Sequence, residues 1–165
     1  MYVLRIVLIA LIFLVLQMTV IHHIAIGGVA PDLMIILLVA LVLDRGPVAA
    51  VAIGFCLGFL QDLGNADFLG MNALAKSIIA YGVSRIGIGL FPESSLFRGV
   101  LILLAVLIND IISLIIITSF TITDMLASFF RYSLLSALYT AVVGVVVLGF
   151  VGATTRRVVS RRGGY

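Results

Sequence analysis

Apolar residues run in long blocks along this chain, and polar residues collect at the block edges. Six blocks stand out, over about 5–21, 33–43, 48–61, 71–90, 96–120 and 132–155. A helix that crosses a bilayer needs about 20 apolar residues, with a range near 17–25. The breaks between blocks have turn chemistry. The stretch 21–32, IHHIAIGGVAPD, holds Gly27, Gly28 and Pro31. Asp44-Arg45-Gly46-Pro47 ends the second block, 62–70 is turn-like at its centre, and Phe91-Pro92-Glu93 closes the fourth. Ser94 or Ser95 is placed to cap the fifth helix, and Thr121 to Asp124 resembles a capping box. The pattern predicts an all-α chain of six helices, organised as a single integral membrane domain over 1–165.

The second and third blocks are short for full crossings, and both could instead dip in and return. In that case Asp44 and Arg45 would sit deep in hydrocarbon, at about 2.5–3.5 kcal/mol each on the lenient insertion scale. A full crossing keeps both in water, and local thinning of the bilayer relieves the short spans. The last block has the opposite problem. From Ile122 to Thr155 it exceeds one perpendicular crossing and contains Arg131, so 125–132, MLASFFRY, is expected to lie along the headgroups with Arg131 snorkelling.

Composition excludes a water-soluble fold. Apolar residues make up 64% of the 165 and charged ones 10%, against about 45–50% and 25% in soluble domains. The first block is long and lacks a small-residue cleavage site, so it reads as a retained helix instead of a signal peptide. Cys56 is the single cysteine, which rules out an intrachain disulfide. A nucleic-acid partner would require a basic face with aromatic platforms, and none is present.

Net charge is +3, but placement is more informative. With six crossings and the basic tail inside, the inner side holds Arg5, Arg45, Arg85, Arg98, Arg156, Arg157, Arg161 and Arg162. The outer side keeps Arg131 and Lys76, and its loops 21–32 and 62–70 have no Lys or Arg. This asymmetry follows the positive-inside rule. It puts both termini in the cytoplasm of a cell with a multi-pass inner (cytoplasmic) membrane protein.

Asp62, Lys76, Asn109 and Asp110 are polar residues within or at the ends of apolar blocks, and they form the candidate intramembrane network. Asp62 closes the third span and Lys76 lies a little over one turn into the fourth, so a direct pair across the loop is expected. Asp110 is a second possible partner for the lysine. Ionisable groups in a membrane are functional candidates by default. One lysine and two aspartates, with no histidine or metal set beside them, favour an ion pair that fixes helix register over a proton or substrate site.

Ala50, Gly54 and Gly58 put small residues on one helix face, a pattern that lets helix backbones approach. Ala73/Ser77 and Ala80/Ser84 repeat the spacing. The glycines suit an internal helix contact, and they are also a candidate groove for a partner helix. His22 and His23 are adjacent and cannot share a helix face as metal-binding pairs do; they read as interfacial. No catalytic triad, CxxC, phosphate loop or zinc signature occurs, so no enzyme activity, cofactor or metal is expected.

Pro31-Asp32-Leu33 opening the second span, Gly54-x-x-x-Gly58-x-x-x-Asp62, and Leu69-Gly70-x-x-Ala73-Leu74 together resemble MreD, a family of bacterial rod shape-determining membrane proteins. The resemblance is strongest over 31–81. It implies family-motif roles for Pro31, Asp32 and Gly70. It also implies a non-enzymatic scaffold of the elongation machinery, one that binds MreC through its transmembrane and membrane-proximal segment. Through MreC such a protein would support RodA and its partner transpeptidase in lateral peptidoglycan synthesis, with MreB on the cytoplasmic side. The family is similar in fold to the substrate-binding subunits of energy-coupling-factor transporters, so a vitamin-type binding subunit is the alternative. Those subunits dock their motor through Ala-x-x-x-Ala in the first helix, whereas here Ala10 is followed four residues later by Leu14.

Overall fold

A computed structural model describes residues 2–19, 30–64, 68–87, 94–117 and 133–162. Among them are six helices and no strand: α1 (Tyr2–Thr19), α2 (Leu33–Val42), α3 (Pro47–Asp62), α4 (Met71–Gly87), α5 (Ser95–Ile117) and α6 (Leu134–Arg162). This is the all-helical class that the apolar blocks predicted. His22 and His23, Phe91 to Glu93, Thr121 to Asp124, and 125–132 lie outside the described residues.

The helix boundaries have local causes. Asp32 is extended (φ −89°, ψ 97°) and its carboxylate accepts from the Ile35 amide at 3.1 Å, capping α2. Pro47 opens α3, where its missing N–H costs nothing. Gly70 precedes α4 at φ +96°, a left-handed conformation that a side chain would strain. Of the two candidate serines for α5, Ser94 accepts from the Phe97 amide at 3.5 Å.

The shortest helix lies at the centre. α2 has 10 residues, LMIILLVALV, and so extends about 15 Å, half of a bilayer's hydrocarbon core of about 30 Å. A helix that is apolar all round lies either in a protein core or in lipid, and here it is the core. Accordingly Met34, Ile35, Ile36, Leu37, Leu38, Val39 and Val42 are all buried, and α2 packs against each of the other five helices. The tightest pair is α3 with α4. Gly54 lies against the Lys76 carbonyl and Ala80, and Gly58 against the Asn72 carbonyl and the Ala73 backbone, with no room for a Cβ at either. Consecutive helices α5 and α6 pack antiparallel, with Gly99 against Val145 and Gly144 against Ile102.

The outside is apolar. Leu8, Val15, Val48, Leu69, Leu96, Leu135, Leu138, Val142 and Val146 are each more than half exposed. A greasy surface of this extent is what an apolar solvent or a partner covers. Among the described residues one helical stretch, Leu96–Ile116, is long and apolar enough to cross a membrane; Leu8–Thr19, Leu33–Val42, Pro47–Asp62 and Leu134–Gly149 are shorter apolar helices.

Candidate functional site

Apart from Ser84, which donates to the Tyr81 carbonyl near the far end of α4, the buried polar side chains gather toward one end of the bundle, around the extended segment that leads into α2. An extended segment inside an apolar bundle exposes backbone groups that water cannot reach, and each must find a partner within the protein. Gln17, near the end of α1, supplies two. Its Nε2 donates to the Pro31 carbonyl at 3.3 Å, and its Oε1 accepts from the Leu33 amide at 2.8 Å. From α6, Thr140 Oγ1 accepts from the Asp32 amide at 3.1 Å, and Ser136 Oγ donates to the Ala30 carbonyl at 3.5 Å. One short segment is thereby fastened to the first and last helices at once.

The charged groups complete this layer. Lys76 is fully buried, and its ammonium lies 3.9 Å from Asp32 Oδ2 and donates to Asn72 Oδ1 at 3.2 Å. Asp62, 1% exposed, accepts from the amides of Gly70, Asn72 and Ala73 at 3.0–3.1 Å and from Asn72 Nδ2 at 2.9 Å. From α5, Asp110 lies near Ser133 and sits in the electrostatic field of Lys76 and Asp32. The carboxamide oxygens of Asn109 and Gln61 have no hydrogen-bond partner among the described residues.

The expected direct Asp62–Lys76 pair is therefore corrected. Asp62 takes four N–H donors at the start of α4, where the helix dipole also favours an anion. Charge-assisted bonds to oriented amides stabilise a carboxylate without a cation. The lysine is left for Asp32, and the Asn72 carboxamide bridges the two, donating to Asp62 and accepting from Lys76. Asp110, the other expected partner, contributes to the field around the ammonium, while the ion pair itself is with Asp32.

The glycine face also needs correction as a partner groove. Ala50 is fully buried, and the backbone of α4 already fills the space over Gly54 and Gly58. These residues make an internal seam, and a partner helix has no access to it. The seam also sets the polar layer, because the α4 backbone pressed against Gly54 and Gly58 is the turn that carries Asn72 and Lys76.

Several residues of the layer escape sequence reasoning. Gln17 is the one amide side chain inside the first apolar block, and that isolation was the available signal. Asp32 stood out only as part of a motif, although a carboxylate at the same end of the bundle as Lys76 is an obvious counter-ion. Asn72 and Thr140 carry no signal beyond being polar. Pro31 holds the extended approach to α2 and offers its carbonyl to Gln17.

Asp62 has its lone pairs occupied by donors, and Lys76 is held between a carboxylate and a carboxamide. Such groups tie α1, α2, α3, α4 and α6 together at one level.

The family model described as MreD, rod shape-determining protein MreD, matches residues 1–153 of the chain. No curated protein and no solved structure matches it.

Proposed function

Because this chain belongs to the MreD family of rod shape-determining proteins, we propose that it acts as a non-enzymatic membrane scaffold of the elongation machinery, binding MreC and supporting lateral peptidoglycan synthesis. MreD is a membrane protein family concerned with cell shape. In this reading the six helices form a single multi-pass domain of the bacterial inner membrane, with both termini cytoplasmic. The helix arrangement is then comparable to that of the substrate-binding subunits of energy-coupling-factor transporters. RodA and its transpeptidase are reached directly or through MreC, and MreB approaches from the cytoplasmic side.

The observation that carries the reading is how the buried charges are used. Asp32 with Lys76, and Asp62 with the α4 amides, join helices to one another, and the surface around them is hydrocarbon. A rigid bundle of this kind presents partners with helix faces and short loops. With the Gly54/Gly58 face occupied internally, the docking surface lies on the outward faces of the helices and on the loop that follows Asp62. That loop is ordered at its base by the Asp62 bonds, and it would meet the partner segment just outside the bilayer.

The test is purification of the native complex in mild detergent, followed by native mass spectrometry. Stoichiometric co-purification of MreC supports the scaffold. A stoichiometric small molecule with no MreC would instead favour the vitamin-type binding subunit and refute the scaffold.

A further inference from the structure

The helices are level at one end of the bundle and uneven at the other. Gly87 lies against the Leu43 carbonyl, so the last turn of α4 is level with the end of α2 and with the exposed Asp44 and Arg45. Ile36 of α2 and Ile102 of α5 both lie beside Gly144. α2 runs parallel to α6, because Asp32 meets Thr140 just as Ile36 meets Gly144, and α5 runs the other way. Ile36 to Leu43 and Ile102 to Ser95 cover the same number of residues. The start of α5 therefore lies at the level of Leu43 and Gly87.

From that shared level the two sides of the bundle rise to different heights. Asp62 accepts from the Gly70 amide at 3.0 Å, so α3 and α4 stop together at one turn. Pro47 to Asp62, and Gly70 to Arg85, each rise about 22 Å. The apolar stretch Leu96–Ile116 of α5 rises about 30 Å, which matches a hydrocarbon core of about 30 Å. Both sides face outward with apolar groups: Leu96, Leu104, Ile108 and Ile116 on α5, and Val48, Phe55, Leu74 and Ile78 on α3 and α4. The α3–α4 flank is the shorter by about 8 Å, and both its ends are polar. Asp44, Arg45 and the exposed Tyr81–Arg85 pair, with Arg85 Nε donating to Tyr81 Oη at 3.3 Å, bound it at the level end. At the other end the connection between the two helices carries Asn65 and Asp67. Acyl chains cannot cover a turn and a carboxylate without a large penalty, whereas Leu63 and Leu69, exposed beside the turn, give them an apolar edge to meet. Tilt does not remove the difference. Matching α5 to the flank would take a tilt of more than about 40°, beyond the range of about 0–40° for membrane helices, and tilting α3 and α4 makes the flank shorter still.

We propose that the α3–α4 flank is a binding face for phospholipids with short acyl chains, and that it thins the leaflet on the side of the Asp62 turn while the bilayer beside α5 keeps its full thickness. Each ångström of mismatch costs little, so the effect is a bias in which lipids gather along the flank instead of one tight site. This rests on the membrane-spanning reading and adds to it a one-sided lipid selectivity that a scaffold alone does not require.

The chain contains no tryptophan, so a single introduced one reports its own lipid neighbours. Phe55→Trp and Ile78→Trp place it on the flank and Leu104→Trp places it on α5, all at exposed positions well inside the apolar span. Each full-length variant is reconstituted in mixtures of dimyristoleoyl and dierucoyl phosphatidylcholine, with one of the two brominated at mid-chain. Quenching of the tryptophan then gives the relative occupancy of the site by the short and the long lipid. Preference for the short lipid should be at least about twofold stronger at both flank sites than at Leu104→Trp. Equal preference on the two sides overturns the proposal, as does a flank that favours the long lipid. It is also overturned if the two flank sites differ from each other as much as from α5, because the mismatch belongs to the flank and not to one side chain. If neither brominated lipid quenches any of the three sites, the membrane-spanning reading has failed, and the proposal falls with it.

Discussion

Replacing Gly58 with alanine tests the α3–α4 seam with a single methyl group. The new Cβ would lie against the Asn72 carbonyl and 2.5 Å from Ala73 Cα. Carbon atoms in ordinary contact sit about 3.5–4.0 Å apart, so α3 must retreat by about 1 Å. Both obstructing groups are backbone, so no rotamer change relieves the clash. Overpacking of this kind costs about 1–3 kcal/mol. The retreat has a second consequence, because Asp62 sits one turn further along α3 and holds the α4 amides at 3.0–3.1 Å. Lengthening those bonds by about 1 Å takes them beyond useful hydrogen-bonding range, and a bond to a charged group is worth about 1.5–3 kcal/mol. With partial relaxation shared between the two effects, Gly58→Ala should destabilise the protein by at least about 3 kcal/mol. The control is Gly82→Ala, where nothing lies within 4 Å of the added atom; removing a mid-helix glycine there should be neutral or should stabilise by up to about 1 kcal/mol. Both can be measured by reversible unfolding in mixed detergent micelles followed by circular dichroism. The seam argument fails if Gly58→Ala unfolds within about 0.5 kcal/mol of the parent, or if the two variants behave alike.

Three other outcomes follow from the polar layer. Lys76→Met leaves Asp32 buried without its counter-ion and should cost about 3–5 kcal/mol, whereas Asp32→Asn/Lys76→Met should recover a substantial part; strict additivity in the double-mutant cycle would count against the pair. Gln17→Leu strands the Pro31 carbonyl and the Leu33 amide, at about 1–3 kcal/mol for each buried group, and should release α1, seen as faster proteolysis between α1 and α2. Unchanged proteolysis would mean that Gln17 does not fasten that segment. Asp62→Ala removes the acceptor for four N–H groups and should raise hydrogen exchange at Gly70, Asn72 and Ala73 by at least about tenfold, while exchange in α5 changes little.

Helices were easier to read from this sequence than their contacts. Long apolar blocks bounded by Pro, Gly and charge leave few alternatives, so α2 through α5 begin within a residue of where the blocks begin. The seam of Ala50, Gly54 and Gly58 was visible as small residues on one face, but spacing cannot say whether the opposing backbone belongs to the same chain. The pairing of charges was misread for a specific reason. A carboxylate near the start of a helix competes for backbone amides as well as for cations, and counting opposite charges overlooks the amides. Asp62 went to the amides, and Lys76 took a carboxylate that is near in space and 44 positions away in sequence. The central position of α2 was not legible in its composition, since α1 is likewise apolar through most of its length and yet carries exposed Leu8, Leu11, Ile12 and Val15. The fastening of α2 by Gln17 and Thr140 depends on tertiary contacts alone.

The central claim is a bundle with an even number of crossings, its buried charges directed at one another and both ends on the cytoplasmic side. Paired reporters active on opposite sides of the membrane, fused in turn to each terminus of the full chain in living cells, test this most directly. The account predicts cytoplasmic reporter activity at both ends. Activity on opposite sides, one terminus in the cytoplasm and the other outside it, would contradict it.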